Sequence, residues 1–329
     1  MIDFSIIIPV TRRELLDRCL QSLLEMDYSF DKFEVILILR KRYKDLPNKL
    51  NIVQIELQDI NPALRRNVGA KSAKAPYLAF IDDDVTVSKD WLKNGKRILD
   101  DKESISGVGG PDFMPPKSSF SEKITDALLS HKYFGSGVLA HSYSKKKKII
   151  KQPSAIALCN LILRKKLFDK VGFNYKVGYG GEDTELLYIL QKKYDAKFLY
   201  EPSIYVFHKK RKFGLEYFKQ RLKFRVNNGK MIYVYPGLYL GNKKFLLFMM
   251  GITFGIILFF INPLMFLFAL FFYFLVLIFT SLSFLRKDAR IFLLLPLLLF
   301  IQHIVYYIGV VIGLLHFYDY NRLRKIRRI

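Results

Sequence analysis

The stretch Tyr77-Leu78-Ala79-Phe80-Ile81-Asp82-Asp83-Asp84 puts five apolar or aromatic residues directly before three carboxylates. Five such residues after Ala75-Pro76 read as a buried strand, and the acidic triplet arrives where the strand ends. Upstream, residues 4–10 form a β-branched apolar run closed by Pro9 and Thr11, a second strand. Residues 14–24 carry Leu15, Leu16, Cys19, Leu20, Leu23 and Leu24 at helical spacing. Residues 33–39 and 51–57 read as further strands, and 62–73 as a helix. Strands alternating with helices predict an α/β domain, Rossmann-like, with a mainly parallel sheet covered on both faces. Ligands in such sheets bind at the carboxyl ends of the strands, which here means just after Val10, Leu39 and Ile81.

Three adjacent carboxylates repel one another unless a positive group sits among them. Hard oxygen donors suit Mg2+ or Mn2+, and such an ion bridges to phosphates. The competing reading is an acidic turn capping a helix that begins near Ser88 or Asp90; the position at a strand's carboxyl end favours the ion. A second acidic feature is Gly180-Gly181-Glu182-Asp183-Thr184-Glu185-Leu186. Carboxylates opening a helix serve as caps, or, at the mouth of a pocket, as a general base for an acceptor hydroxyl.

Residues 109–119 are Gly/Pro-rich and 142–152 hold four consecutive lysines, so both read as surface loops. Residues 158–164 return to strand character, 182–192 to helix and 198–207 to an extended segment, while 213–226 read as a basic amphipathic helix. Beyond that the composition changes. Residues 245–285 and 291–318 contain no Asp, Glu, Lys or Arg. A membrane-spanning helix needs about 20 apolar residues, so the first stretch is long enough for two passes, with Asn262-Pro263 as the turn, and the second for a third. The expected division is a domain over 1–210, a basic interfacial segment over 211–244, a membrane region over 245–318 (helices near 245–261, 264–285 and 291–317) and a basic tail over 319–329.

The formal net charge of +24 raises nucleic acid as a partner, but the basic residues crowd beside the apolar stretches. Lys209, Lys210, Arg211 and Lys212 precede them, Arg286, Lys287 and Arg290 lie between them, and Arg322, Arg324, Lys325, Arg327 and Arg328 follow. That pattern predicts contact with membrane lipids and a cytoplasmic catalytic domain, not nucleic-acid binding. A third full crossing places the tail on the opposite side, against the positive-inside rule, so hairpin-anchored and multi-pass topologies both stand. Cys19 and Cys159 sit in apolar surroundings without metal-type spacing and are expected as buried thiols. Met1-Ile2-Asp3-Phe4 leads straight into a strand, so no signal peptide is expected.

Taken in order, these segments resemble family 2 glycosyltransferases of the GT-A fold. The resemblance rests on Phe4-Ser5-Ile6-Ile7-Ile8-Pro9-Val10 with Glu14, on Ala63-Leu64-Arg65-Arg66-Asn67-Val68-Gly69, and on the run into Asp82-Asp83-Asp84. It continues through Val108-Gly109-Gly110-Pro111, Cys159-Asn160-Leu161-Ile162-Leu163-Arg164, Gly181-Glu182-Asp183 and Val206-Phe207-His208, then Gln220-Arg221 and Arg225. It implies a metal-dependent, inverting transfer of sugar from a UDP- or GDP-sugar to a lipid-linked or glycan acceptor at a membrane. By resemblance Pro9, Val10, Thr11, Glu14 and Arg66 line the nucleotide pocket, Asp82 and Asp83 lie beside sugar and ribose, and Arg221 and Arg225 meet the diphosphate. Asp84, with Asp82 and His208, is the implied metal set, although His208 amid basic residues also suits a lipid phosphate. Asp183 is the implied base with Glu182 as its neighbour, and Gly110, Asn160 and Trp91 mark the acceptor side. One departure stands out: acidic residues that the family carries after its second strand are replaced by Arg40-Lys41. A catalytically degenerate scaffold is therefore the second reading.

Overall fold

The computed structural model describes residues 1–136, 138–175 and 180–316. The predicted basic tail over 319–329, and residues 317 and 318 at the end of the predicted membrane region, lie outside the described residues. Two units make up the chain. Met1–Ser118, Gly137–Tyr175 and Glu182–Lys210 form the first; Ser119–Ser136, Lys176–Gly181 and Arg211–Ile329 form the second.

The strands of the first unit are β1 (Phe4–Pro9), β2 (Phe33–Leu39), β3 (Ile52–Glu56), β4 (Tyr77–Phe80), β5 (Val85–Val87), β6 (Gly107–Gly109), β7 (Asp112–Phe113), β8 (Lys148–Ile149), β9 (Leu161–Arg164), β10 (Phe198–Tyr200) and β11 (Val206–His208). Its helices are α1 (Arg13–Leu24), α2 (Pro62–Ser72), α3 (Trp91–Asp101), α5 (Leu139–Ser142), α6 (Lys165–Phe168) and α7 (Glu182–Tyr194); α4 (Phe120–Ser130) belongs to the second unit. An eight-stranded sheet runs β3-β2-β1-β4-β9-β6-β10-β8. It is mainly parallel, as expected, with β9 and β8 reversed against their neighbours.

Every residue of β1 and β2 is buried, because helices cover both faces. Strand alternation sends Phe4, Ile6 and Ile8 to one side, where they meet Leu16, Cys19 and Leu20 of α1 and Trp91 and Leu92 of α3. Ile7, Ile36 and Ile38 go to the other, against Ala63 and Ala70 of α2 and Leu186 and Leu187 of α7. Both cysteines are buried free thiols.

Two segments depart from the simple pattern. The stretch 198–207 is two strands in two sheets, because the Glu201 carboxylate accepts from Ser203 N (3.1 Å) and Ser203 Oγ (2.9 Å) and turns the chain between them. The loop over 109–119 contains β7, which joins β5 and β11 in a small sheet ordered β5-β11-β7.

In the second unit, α8 (Leu215–Val234) and α9 (Pro236–Tyr239) precede α10 (Lys243–Ile261), α11 (Pro263–Leu285) and α12 (Ala289–Leu315). The last three are long and apolar enough to cross a membrane. Asn262 ends α10 and caps α11, its side chain accepting from Met265 N (3.1 Å). The basic helix expected at 213–226 runs on to Val234 and packs on α12 through small residues. A Cβ on Gly313 would lie 2.1 Å from the Val226 carbonyl oxygen, and one on Gly229 2.3 Å from that of Val310. Backbone thus rests on backbone there. The apolar face of α4 (Ile124, Ala127, Leu128) packs with Leu277, Leu295 and Leu299, which is why this helix groups with the second unit although 1–210 reads as continuous in sequence.

Candidate active site

The carboxyl ends of β1 and β4 are tied together by a single oxygen. Asp83 Oδ2 accepts from Thr11 N (2.6 Å), Thr11 Oγ1 (2.7 Å) and Arg12 N (2.8 Å). These backbone donors lie at the start of α1, where helical N–H groups lack internal partners. Burial still raises the Asp83 pKa, against the pull of Thr11 and Arg12. Pro9 and Val10 are buried below this turn, while Thr11 and Glu14 are exposed. Arg65 holds the turn from beneath, donating to the carbonyls of Val10 (2.7 Å), Asp59 (2.7 Å) and Leu57 (3.2 Å).

Its neighbour Arg66 turns to the carboxylates. Its guanidinium is 6% exposed and reaches Asp82 Oδ1 at 2.6 Å and Glu182 Oε1 at 3.3 Å. One buried cation therefore joins two acidic motifs a hundred residues apart in sequence. Gly180 and Gly181 adopt φ of +89° and +92°, backbone that suits glycine, just before α7 begins at Glu182. Asp183 Oδ1 accepts from Thr184 N (2.7 Å) and Thr184 Oγ1 (3.3 Å). The Asp183 pKa is raised, by burial against the opposing pull of Thr184 and Arg66; that of Glu182 is raised by burial and by Asp183, against Arg66. A carboxylate shifted upward is a better proton acceptor near neutral pH.

The small sheet supplies the third element. Pairing of β11 with β5 sets His208 opposite Val85, so the imidazole meets the residue that precedes β5. His208 Nε2 lies 3.4 Å from Asp84 Oδ1, and Arg12 lies 3.8 Å from Asp84 Oδ2. Burial works against charge on both partners, but His208 and Arg12 hold Asp84 below the usual carboxylate range. Likewise burial opposes a charged His208, and Cys159, Asp84 and Asp112 outweigh it and raise its pKa well above the ordinary value. On its other edge His208 Nδ1 faces Asp112 Oδ2 (3.2 Å) and Cys159 Sγ (3.5 Å). Asp112 also accepts from Lys210 Nζ (2.8 Å) and His141 Nδ1 (2.7 Å). Burial would raise Asp112, yet His141 and Lys210 keep it well below the usual range.

Asp82, Asp84 and His208 each offer one donor atom, all within 4.8 Å of one another. Asp84 Oδ1 is buried and accepts no aligned hydrogen bond among the described residues. That oxygen, with the Asp82 carboxylate and the His208 imidazole beside it, makes a donor set that fits a divalent ion of the Mg2+ or Mn2+ kind.

Of the residues predicted from sequence, Thr11, Arg66, Asp82, Asp83, Asp84, Glu182 and His208 are linked by the contacts above, with Asp183 beside Glu182. Gly110, Asn160 and Trp91 also come together, but as a buried brace. Trp91 Nε1 donates to Asn160 Oδ1 (2.9 Å), and Asn160 Nδ2 donates to the carbonyls of Ile204 (2.8 Å) and Pro111 (3.2 Å). Arg221 and Arg225 lie on α8 in the second unit, where Arg225 stacks on Tyr306 at 3.9 Å and Arg221 on Phe224 at 4.6 Å. Arg40 and Lys41 are exposed at the end of β2. Sequence reasoning missed Asp112, His141, Arg12 and the part Cys159 and Lys210 take. Only Lys210 had a signal, standing two residues after His208, where continued strand alternation would put both on one face, although β11 itself ends at His208.

A mainly parallel sheet with acidic residues clustered at its carboxyl ends defines a GT-A domain. The chain belongs to glycosyl transferase family 2, whose family model matches residues 5–171. It is similar to the poly(ribitol-phosphate) beta-N-acetylglucosaminyltransferase TarS of Staphylococcus aureus, 28% identical over 148 residues, covering 39% of this chain and 25% of TarS. It is also similar to the minor teichoic acid biosynthesis protein GgaB of Bacillus subtilis, 28% identical over 220 residues, covering 60% of this chain and 23% of GgaB. The chain thus spans about a quarter of the length of the curated relatives it matches. Among solved structures, S. aureus TarS 1-349 aligns with a TM-score of 0.49 at 14% identity over 98% of this chain and 92% of the other. The mannosyltransferase PcManGT from Pyrobaculum calidifontis, in complex with GDP-Man and Mn2+, aligns with a TM-score of 0.48 at 15% identity over 69% and 61%.

Proposed function

We propose that this chain is a membrane-anchored, inverting glycosyltransferase that moves sugar from a UDP- or GDP-sugar to a glycan or lipid-linked acceptor in cell-surface polysaccharide assembly. The observation that carries it is the Arg66 bridge, which gathers Asp82 and the Glu182-Asp183 pair around one buried cation. Family membership supplies the reaction class, and the names of TarS and GgaB supply the kind of polymer.

Asp82, Asp84 and His208 would hold the divalent ion, which when bound neutralises charge on a diphosphate leaving group. The chain's own residues do the remaining work. Asp183 takes the proton of the attacking hydroxyl, and its raised pKa keeps the acid limb of the pH profile above the ordinary carboxylate range. Since the base acts ionised, transfer falls as pH drops through that pKa. Arg66 fixes Glu182 and Asp82 and keeps their charges compensated. For Arg221 and Arg225, the proposed contact with diphosphate stands on sequence alone. α10, α11 and α12 are the proposed anchor, with the catalytic domain on the cytoplasmic face.

The test is product detection with purified full-length chain in detergent, offered UDP- and GDP-sugars with Mn2+ and a polyol-phosphate or lipid-linked glycan. Transfer dependent on Asp183 is expected; no product from any donor, with no donor binding by calorimetry, would sink the reading. Arg40 and Lys41 at the end of β2 favour the scaffold reading, for which calorimetry shows no donor binding while the chain folds normally.

A further inference from the structure

We propose that Asp112 is a positioning residue for the divalent ion: it holds the His208 ring with hydrogen on Nδ1 and Nε2 directed to Asp82 and Asp84. The inference rests on the metal-dependent reading above and adds to it a residue that sequence motifs do not mark.

The argument is geometric. A carboxylate offers only acceptors, so the ring nitrogen facing it must carry the hydrogen. Asp112 Oδ2 lies 3.2 Å from His208 Nδ1 and Asp84 Oδ1 lies 3.4 Å from Nε2, so both ring edges face carboxylates. An ion held by Asp82, Asp84 and the ring would take the place of the Nε2 hydrogen, released to solvent, while Asp112 keeps the one on Nδ1. Imidazoles that bind metal commonly place their second nitrogen against a carboxylate in this way, which fixes ring orientation.

Asp112 is itself immobilised. Its side chain is fully buried, His141 donates to Oδ1, and Lys210 donates to Oδ2 and, at 3.3 Å, to the Asp112 carbonyl. The backbone repeats the constraint. β7 lies parallel to β11 with Asp112 opposite Val206, strand alternation puts His208 on the face of Val206, and Lys210, two residues past the end of β11, reaches Asp112 as well. A carboxylate present only to neutralise buried Lys210 would need no imidazole on the same oxygen. The two roles differ in what their loss does to the ion.

The experiment uses full-length chain in detergent and Mn2+ alone as probe, with affinity read by electron paramagnetic resonance of free Mn2+. Coordinated imidazole is read separately, from nitrogen modulation of the bound ion's spin echo. Asp112→Asn is expected to weaken Mn2+ binding about 10–100-fold and to reduce the nitrogen modulation. Because that change leaves Lys210 buried without its carboxylate, the double variant Asp112→Asn with Lys210→Met is measured beside it, with thermal melting without Mn2+ to report folding. The double variant is expected to show the same loss of affinity and modulation. Wild-type affinity and modulation in the folded double variant would overturn the role of Asp112 and leave the metal site standing. No Mn2+ binding by the wild-type chain would overturn the metal reading beneath it as well.

Discussion

The two units bury different chemistry. In the first, charged side chains lie inside: Glu34, Arg65, Arg66, Asp83, Asp112, Glu185, Glu201 and Lys210 are all buried. In the second, among the described residues, the buried polar groups are mostly uncharged ones such as Thr125, Asn227, Ser281 and Gln302, and Glu122 is used in the capping box of α4. The surfaces are inverted in the same sense. Phe260 and Phe279 are 78% and 73% exposed, on helices whose outward faces are apolar along their length. A soluble surface seldom carries so large an apolar patch, whereas hydrocarbon welcomes it. The two units thus present different surfaces, and beside the apolar clusters in both, the first buries paired charge while α8 and α12 of the second meet through close backbone contact.

Four changes would break or sharpen that contrast. The largest effect is expected from Asp183→Asn, which keeps shape but removes the base; transfer measured by product formation should fall about 100- to 10,000-fold while donor binding by calorimetry persists. Unchanged turnover would remove Asp183 from the mechanism. Next comes Gly313→Leu in α12, where even a Cβ would sit 2.1 Å from the Val226 carbonyl oxygen. It should destabilise the chain in detergent by about 3 kcal/mol, and a melting curve like that of the wild type would show that α8 and α12 are not held by close packing. A smaller loss, about 1–2 kcal/mol, is expected from Trp91→Phe, which leaves the buried Asn160 Oδ1 without its indole donor. Urea unfolding measures it, and the second-unit variants should leave that bond untouched. The smallest is Phe260→Leu, exchanging one exposed apolar side chain for another; no shift in melting is expected, and a clear one would mean that this face has a partner.

How much of this could be read from sequence follows from element length. β1, β2 and β4 were legible because four to seven consecutive buried residues leave a run that cannot be mistaken, and α10 to α12 because their composition departs from that of any soluble helix. The small sheet was not, since β5, β7 and β11 have two or three residues each, too few for a period to show. That sheet is what carries His208 to Asp84, a pairing the family resemblance implied, and Asp112 to His208, a contact that lay hidden with it. Asp82, Asp83 and Asp84 stood out as a triplet, and resemblance grouped Asp84 with His208, but two contacts were not legible: Asp83 ties the turn after β1, and Asp82 pairs with Arg66. Adjacent residues on a turn point in different directions, and sequence does not record which.

The packing of α8 and α4 in the second unit bears on how the protein is handled at the bench. Cutting the chain after residue 242 to discard the three apolar helices would keep α8 but remove what it rests on. Tyr217, which bonds Gln302 of α12, would lose its acceptor, and Met231 and Val234 would meet water. A cut after Gly214 removes that problem and leaves another, because Ile124 and Leu128 of α4 pack with Leu295 and Leu299 and would be laid bare. A water-soluble version therefore calls for two operations: truncation ahead of Leu215, and replacement of the apolar stripe on α4 by polar residues.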